Sequence, residues 1–341
     1  MFYPKLSIII PCFNNGSLLA VLIECIRRQT FEDWELIVVD DQSTDATPSI
    51  VRGFEQTDKR IKLIVRSQEP KGSATCRNIG FDMATGKYII HFDADDLISD
   101  TCFENRVKFM DNHPTIDYAS FPAMAFTDPD KLPSFHDKGR LYGADQDDID
   151  LLKRFLSADY PFSTWNNIYK RTALEDIRWD EKVKIYTDFS YIVPGILKGL
   201  KHQFSGQEEI DYYYRVNPPT GSMCSTFVSP EKCSSTIYLF SKTLDSLSKR
   251  ADYKKRKKQF LQFIVLHFER LVMDGDKTKV QDYLVFCEKY FRGNIATSLD
   301  LISKIVIGIQ NLKLRKGVLY LLIVLRFGYL KYFKVLLKQL K

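Results

Sequence analysis

The stretch Gly86-Lys-Tyr-Ile-Ile-His-Phe-Asp-Ala-Asp-Asp-Leu97 decides how the rest of the chain is read. Lys87 to Phe92 is a β-branched and aromatic run, which predicts a buried strand. Three carboxylates, Asp93, Asp95 and Asp96, stand where that strand would leave the core. Carboxylates this close repel one another unless solvent, a cation or a proton offsets the charge. One reading is an acidic turn before the next helix, with Asp96 or Ser99 near its N-terminus. The other is a site for a hard divalent ion, Mn²⁺ or Mg²⁺, held by one or two carboxylates together with substrate phosphates.

Upstream, the same grammar repeats. Leu6 to Ile10 is a short apolar strand ended by Pro11, and Ser17 is placed to cap a helix reaching Arg28, with Leu18, Val21, Leu22 and Cys25 on one face. Trp34 to Val39 is a second strand, closed by Asp40-Asp41, and Thr47-Pro48 reads as the N-cap and first residue of the next helix. Ile61 to Val65 is a third strand, Lys71-Gly-Ser73 a turn, and Cys76 to Ala84 a helix leading into the Gly86 stretch. Strands without polar interruption, alternating with helices, predict a parallel sheet covered on both faces. In such sheets ligands bind beyond the carboxyl ends of the strands. Phe13-Asn14, Asp40-Asp41 and Asp93 to Asp96 would meet there.

Composition is compatible with this. Hydrophobic content of 45% and charged content of 27% suit a folded α/β protein, and 13% aromatic residues suit surfaces that stack on planar or sugar rings. Seven cysteines without a C-x-x-C pair exclude a disulfide framework and a zinc site. Met1 leads into a strand-like segment with no signal-peptide pattern, and Val318 to Leu325, the longest apolar run, is too short to span a bilayer. A cytosolic chain is expected.

Beyond Asn112 the alternation loosens. Tyr118 to Phe126 reads as one strand, Asp128 to Asp150 as a polar loop of the kind that serves as a lid, Leu151 to Leu156 as a helix, and Glu209 to Arg215 as a strand ending at Pro218-Pro219 and Gly221-Ser222. The expected organisation is residues 1–228 as one domain, divided into halves 1–112 and 113–228, and 229–341 as a helical region with a basic tail. Lys249 to Lys258 holds seven basic residues in ten, with Tyr253 the only aromatic among them, so it reads as a solvated helix face and no nucleic acid partner is expected. From Leu301 to Lys341 there are nine Lys/Arg and no Asp or Glu. At about 100° per residue, Lys313, Lys316, Lys331, Lys334, Lys338 and Lys341 fall within an arc of roughly 80° of a continuous helix. Such a basic amphipathic helix fits an anionic membrane surface.

Taken together, Ile8-Ile-Ile-Pro-Cys-Phe-Asn14, Val38-Val-Asp-Asp-Gln-Ser-Thr-Asp45, Arg77-Asn-Ile-Gly80 and Gly86 to Asp96 resemble the inverting family 2 glycosyltransferases of the GT-A fold. The later Trp165, Ile168-Tyr-Lys-Arg171, Trp179-Asp-Glu181, Thr187-Asp188, Tyr212 to Arg215 and Gly221-Ser222 are similar to its bacterial capsule and exopolysaccharide branch. The resemblance spans about residues 4 to 225. It implies a UDP-sugar donor, with Asp41 accepting a hydrogen bond from the base, Phe13 stacking on it, and Pro11 to Asn14, Gly72 and Arg77 lining the nucleotide. Asp95 would be the metal ligand, Asp93 would assist at the ribose or metal, and Asp96 would lie nearer the donor sugar. Asp188 would be the base that takes the proton of the acceptor hydroxyl. Trp165, Trp179 and Tyr186 would be either sugar-binding walls or core.

The implied acceptor is a saccharide, in this branch a lipid-linked one at the cytosolic face of the inner membrane. Three positions depart from the family pattern: Phe13 for Tyr, Cys76 for Ala, and Thr187 for the Glu that precedes the base. The last bears on how the donor sugar is held. A nucleotidyltransferase is the alternative enzyme, but a Gly-rich phosphate loop with a following Lys is missing. A non-catalytic nucleotide-sugar-binding module is the alternative outside catalysis.

Overall fold

The computed structural model describes residues 4–137, 139–145, 149–216, 228–291 and 293–327. The chain opens as strand and helix in turn: β1 (Leu6–Cys12), α1 (Gly16–Arg27), β2 (Trp34–Asp40), α2 (Thr47–Thr57), β3 (Ile61–Val65), α3 (Ser73–Met83) and β4 (Tyr88–His91). Every residue of β1, β2 and β4 is buried, as expected of strands covered on both faces. Pro11 does not end β1. Ile9 O accepts from Phe92 N and Cys12 O from Asp41 N, so the nitrogen of Pro11 faces the β4 side, one step past the last β1–β4 pair. No ladder bond is lost there.

Helix starts differ by a residue or more from the sequence expectation. Asn15, not Ser17, precedes α1, and the helix buries Leu19, Leu22, Ile23 and Ile26, leaving Val21 exposed. Both phases were open because apolar residues stand in adjacent pairs, and the i, i+3, i+4, i+7 stripe was selected. Thr47 and Pro48 lie inside α2, behind the N-cap Ala46. In α3, a Cβ on Gly80 would stand 2.4 Å from Ile9 Cγ2, so the helix can lie on β1 only with glycine there. Gly80→Ala is expected to destabilise the fold by about 1–3 kcal/mol through overpacking, measured by chemical denaturation.

The chain continues through β5 (Leu97–Ile98), α4 (Cys102–Asn112), β6 (Tyr118–Ser120), β7 (Ala123–Phe126), β8 (Leu141–Tyr142), α5 (Leu151–Leu156), β9 (Asn167–Lys170), α6 (Thr187–Lys198), β10 (His202–Phe204) and β11 (Tyr212–Arg215). The larger sheet runs β10-β6-β9-β4-β1-β2-β3 and is parallel except for β9, which is antiparallel to β4 and β6. A second sheet, β5-β11-β7-β8, stands at the carboxyl end of β4. The single strand expected over Tyr118 to Phe126 is therefore two, one in each sheet. Pro122 has no N–H to continue a ladder, and the chain changes sheet there. The Asp128 to Asp150 loop contains β8, and residues 138 and 146–148 of it lie outside the described residues.

The core between the sheets and α4 holds a buried ion pair. Arg106 donates to both carboxylate oxygens of Asp211, at 2.7 and 2.8 Å, and to the carbonyls of Trp165 (3.2 Å) and Asn167 (3.4 Å).

Among the described residues one compact unit holds 4–155, 160–182 and 186–216, and a second holds 156–159, 183–185 and 228–327. The second is helical: α7 (Pro230–Ser248), α8 (Tyr253–Asp274), α9 (Lys277–Tyr290), α10 (Asn294–Ile307) and α11 (Leu312–Phe327). Ser229 and Asp276 cap α7 and α9 through their side chains. The basic run enters α8, where Arg250 and Arg256 both pair with Asp252. In α11, Lys316 is half-buried on the side that carries the buried Leu319, Tyr320 and Ile323, whereas Leu314, Leu321 and Leu325 are exposed together with Lys313. Among the described residues no helix is long and apolar enough to cross a membrane. Lys331, Lys334, Lys338 and Lys341, Pro218-Pro219 and Gly221-Ser222 lie outside the described residues.

Candidate functional site

The carboxyl ends of β1, β2 and β4 lie side by side, with Pro11 buried in the first of them. Phe13 follows β1 and is 45% exposed, with Lys71 Nζ 3.6 Å from its ring centroid. Asn14, in a left-handed conformation (φ 48°), ties this end to the loop after β2: its N–H donates to Ser43 Oγ and its Oδ1 accepts from Thr44 N, each at 2.8 Å. Asn14 thus shapes the loop with its side chain. Asp41 is ion-paired with Arg66, which is buried at the end of β3, and accepts a long bond (3.4 Å) from Gly72 N. Gly72 has φ 139°, a backbone region that side chains disfavour. Arg66 was missed in the sequence, where a lone Arg after a strand looks like any surface cation.

The acids after β4 take separate roles. Asp93 is ion-paired with Arg77, and Arg77 in turn lies over the ring of Trp179, 4.4 Å from its centroid. Desolvation raises the Asp93 pKa, Arg77 opposes it, and the charge of Asp188 adds to the rise. That coupling places Asp93 and Asp188, far apart in sequence, in one electrostatic neighbourhood. Burial, then the charge of Asp93, pushes the Asp95 carboxyl up to about 6. Asp96 is buried, and its two oxygens accept from Tyr212 Oη (2.6 Å) and Arg215 N (2.7 Å). Burial and its two acidic neighbours drive its pKa well above the usual carboxylate range. Asp96 therefore fastens the acidic turn to β11 instead of facing a donor sugar. Neither Asp96 nor Ser99 caps α4; Thr101 precedes it.

Asp188 sits in the first turn of α6, behind Tyr186 in a left-handed conformation (φ 60°). A helix N-terminus favours its negative charge, and the hydroxyl of Thr164 donates to Asp188 Oδ1. The backbone leading to it is held by Asn78: its Oδ1 accepts from Trp179 N (2.9 Å), and its Nδ2 donates to Trp179 O and Glu181 Oε1 (each 3.0 Å). The Arg-Asn pair of α3 thus holds Asp93 with one residue and the segment before Asp188 with the next. Both tryptophans are core. Trp179 stacks on Tyr191 (centroids 4.3 Å apart) and Trp165 on Tyr212 (4.9 Å) and Tyr214 (5.5 Å), leaving Tyr186 as the partly exposed member of the three expected sugar walls. His91 packs edge-on to Trp179 and Tyr191, and burial followed by Arg77 holds its pKa well below the ordinary value, so it stays neutral.

Among the described residues no three His, Cys, Asp or Glu side chains gather as a metal cage. A cation shared with a diphosphate needs only one or two carboxylates from the protein. Asp95 fits that need, since burial and the charge of Asp93 raise its pKa and the charge of Arg215 offsets the rise only in part. Asp93 already has Arg77.

Fold and site define an α/β protein with acids at the carboxyl ends of its central strands β2 and β4. More specifically, the chain belongs to glycosyl transferase family 2, whose model matches residues 7–178. It is 28% identical to the minor teichoic acid biosynthesis protein GgaB of Bacillus subtilis over 286 residues, 81% of this chain and 30% of that protein. It is 30% identical to the GalNAc(5)-diNAcBac-PP-undecaprenol beta-1,3-glucosyltransferase of Campylobacter jejuni over 179 residues, 52% of this chain and 56% of that protein. The chain therefore spans only part of the length of either relative. The GT-A expectation for the fold holds: S. aureus TarS 1-349, solved in complex with UDP-GlcNAc, superposes with a TM-score of 0.63 at 18% identity, over 97% of this chain and 90% of that one. Mannosyltransferase PcManGT from Pyrobaculum calidifontis, in complex with GDP-Man and Mn²⁺, superposes with a TM-score of 0.53 at 19% identity, over 96% of this chain and 87% of that one.

Proposed function

We propose that the protein transfers a sugar, with inversion, from a UDP-sugar to a hydroxyl of a saccharide acceptor during synthesis of a bacterial surface polysaccharide. The observation that carries this reading is the coupling of Asp188 to Asp93, which follows β4 beside the strand ends that carry Phe13 and Asp41. Phe13 stacks on the base, and Asp41, held by Arg66, accepts from its N–H. Gly72 lets the backbone approach the nucleotide, and Arg77 pairs with Asp93, opposing the rise that burial gives its pKa. Asp188 takes the proton of the acceptor hydroxyl as that oxygen attacks the anomeric carbon, so a protein nucleophile is not required. Mn²⁺ or Mg²⁺ bound at Asp95 would act as a Lewis acid on the diphosphate leaving group. The names of GgaB and of the undecaprenol-linked glucosyltransferase support a surface glycopolymer and a lipid-linked acceptor.

Calorimetry with UDP, and donor turnover with a panel of UDP-sugars with and without Mn²⁺, test the reading. Saturable UDP binding with metal-stimulated turnover is expected. Binding without turnover on any donor or acceptor would favour a nucleotide-sugar-binding module, a reading kept open by Thr187 in the place of the family's Glu. Phe13→Ala is expected to weaken UDP binding about 5- to 150-fold, the equivalent of about 1–3 kcal/mol of base stacking. The exposure of Phe13 makes its stability cost small, so calorimetry reads the stacking loss directly.

A further inference from the structure

Arg66 is held in place independently of the carboxylate it pairs with. Its N–H donates to Asp40 O (2.8 Å), its carbonyl accepts from Gln42 Nε2 (3.1 Å), and its Nη1 donates to the carbonyl of Gln68. The buried guanidinium thus presents Nε to Asp41 from a fixed position, and Nε donates to Oδ1. Gly72 N donates to the same oxygen at 3.4 Å. Oδ2 of Asp41 has no hydrogen-bond partner among the described residues. The buried thiol of Cys76 is a further neighbour; burial and then the charge of Asp41 push its pKa up to about 12, so it stays a neutral, weak donor. The backbone of Asp41 is tied by its own N–H to Cys12 O (2.8 Å), the residue before Phe13. The carboxylate therefore has two unlike ends, one held by the protein and one left over.

We infer that Arg66 sets the choice of base through Asp41: by holding Oδ1 it leaves a single acceptor, Oδ2, for the nucleotide, and a single acceptor selects uracil. The inference rests on the proposed placement of the base at Phe13 and Asp41. Uracil carries one ring N–H on its pairing edge, at N3, and one acceptor satisfies it. Guanine carries N1–H and the N2 amino group side by side, a pair that needs both oxygens of a carboxylate. With Oδ1 taken, one of those donors is desolvated without a partner, which a site built on hydrogen bonds rejects strongly. Cytosine has a lone pair at N3 and sets it against Oδ2. Arg66 acts through Asp41 and is a positioning residue.

Calorimetry of the full chain with UDP, CDP and GDP, Mn²⁺ present throughout, tests the inference. The unaltered chain is expected to bind UDP at least about tenfold more tightly than CDP or GDP. Asp41→Asn is the sharper arm. Arg66 Nε and Gly72 N can only donate, so the amide must turn its oxygen to them and place its NH₂ where Oδ2 stood. That group opposes N3–H of uracil and donates to N3 of cytosine, and the ratio of UDP to CDP affinity is expected to fall at least about tenfold. Arg66→Lys keeps a cation beside Asp41, and with it the fold, but one ammonium cannot reproduce the planar fork that holds Asp41 and Gln68 together. Its preference for UDP over GDP is expected to shrink at least about fivefold, at a melting temperature close to that of the unaltered protein. Equal affinity of the unaltered chain for the three nucleotides would overturn the inference and leave sugar transfer standing. An unchanged ratio in either variant would also overturn it, as would equal loss of UDP and CDP in Asp41→Asn, which would make Asp41 an anchor of the fold. Absence of binding by all three nucleotides would overturn the proposed function together with it.

Discussion

Asp188→Asn is expected to lower sugar transfer by about 10²–10⁴-fold, the usual loss when a positioned general base is removed. The substitution keeps the shape of the side chain, and an amide oxygen can still accept the hydroxyl of Thr164 that orients Asp188 now. The amide cannot take a proton from the attacking hydroxyl. Because the proposed reading assigns Asp188 to the acceptor hydroxyl and Phe13 and Asp41 to the base, UDP affinity measured by calorimetry should be unchanged. The two measurements together separate loss of the base from loss of the fold. Turnover equal to that of the unaltered protein would remove Asp188 from the mechanism. A parallel fall in UDP affinity would instead mean that the α6 terminus supports the nucleotide half.

How far such roles can be read from sequence depends on what kind of pattern carries them. β1 and β2 were legible because strands buried on both faces are mostly apolar, with Ser7 and Glu35 the polar exceptions, and the acids that close β2 stand out by contrast. β3, an edge strand, is only partly buried and carries Lys62. β5 and β8, two residues each, have no periodicity to detect. The strand change at Phe121-Pro122 was hidden because apolar residues continue across it. Trp165 and Trp179 illustrate a limit of composition: an aromatic that walls a sugar site and one that stacks on Tyr212 or Tyr191 look alike until the partner is placed. Arg66 and Asn78 act through residues distant in sequence, Asp41 and Trp179, so neither forms a local motif by itself. Arg106 did leave a trace. It lies on the apolar side of α4 with Phe103, Val107 and Met110, where a cation signals a buried partner, but only the fold shows that the partner is Asp211.

That pair yields the largest expected change in stability. Arg106→Met should destabilise the first unit by about 3–5 kcal/mol, because it leaves the Asp211 carboxylate buried and uncompensated. All three tryptophans, Trp34, Trp165 and Trp179, belong to that unit, so their fluorescence in a denaturation series reports it alone. The pH dependence has a definite sign. Burial already raises the Asp211 pKa against the pull of Arg106, and without Arg106 the folded state of the variant favours the protonated acid still more. A folded-state pKa above the unfolded one gives stability that is fully present below the unfolded value and lost as pH rises through the folded value. The deficit of Arg106→Met should therefore be large at neutral pH and shrink as pH falls toward the ordinary aspartate range. Arg106→Met/Asp211→Leu should recover much of the loss at neutral pH and remove its pH dependence, since an apolar pair of similar volume can replace a buried ion pair. Recovery should stop short of complete, because the carbonyls of Trp165 and Asn167 lose their donor. Asp211 immediately precedes Tyr212 and lies in the strand segment that ends at Arg215, the two residues that hold Asp96 and, through Arg215 Nε at 2.6 Å from Asp95 O, the candidate metal-binding turn. A double variant that regains stability but transfers sugar more slowly would show that the ion pair sets the position of that turn as well as the strength of the core.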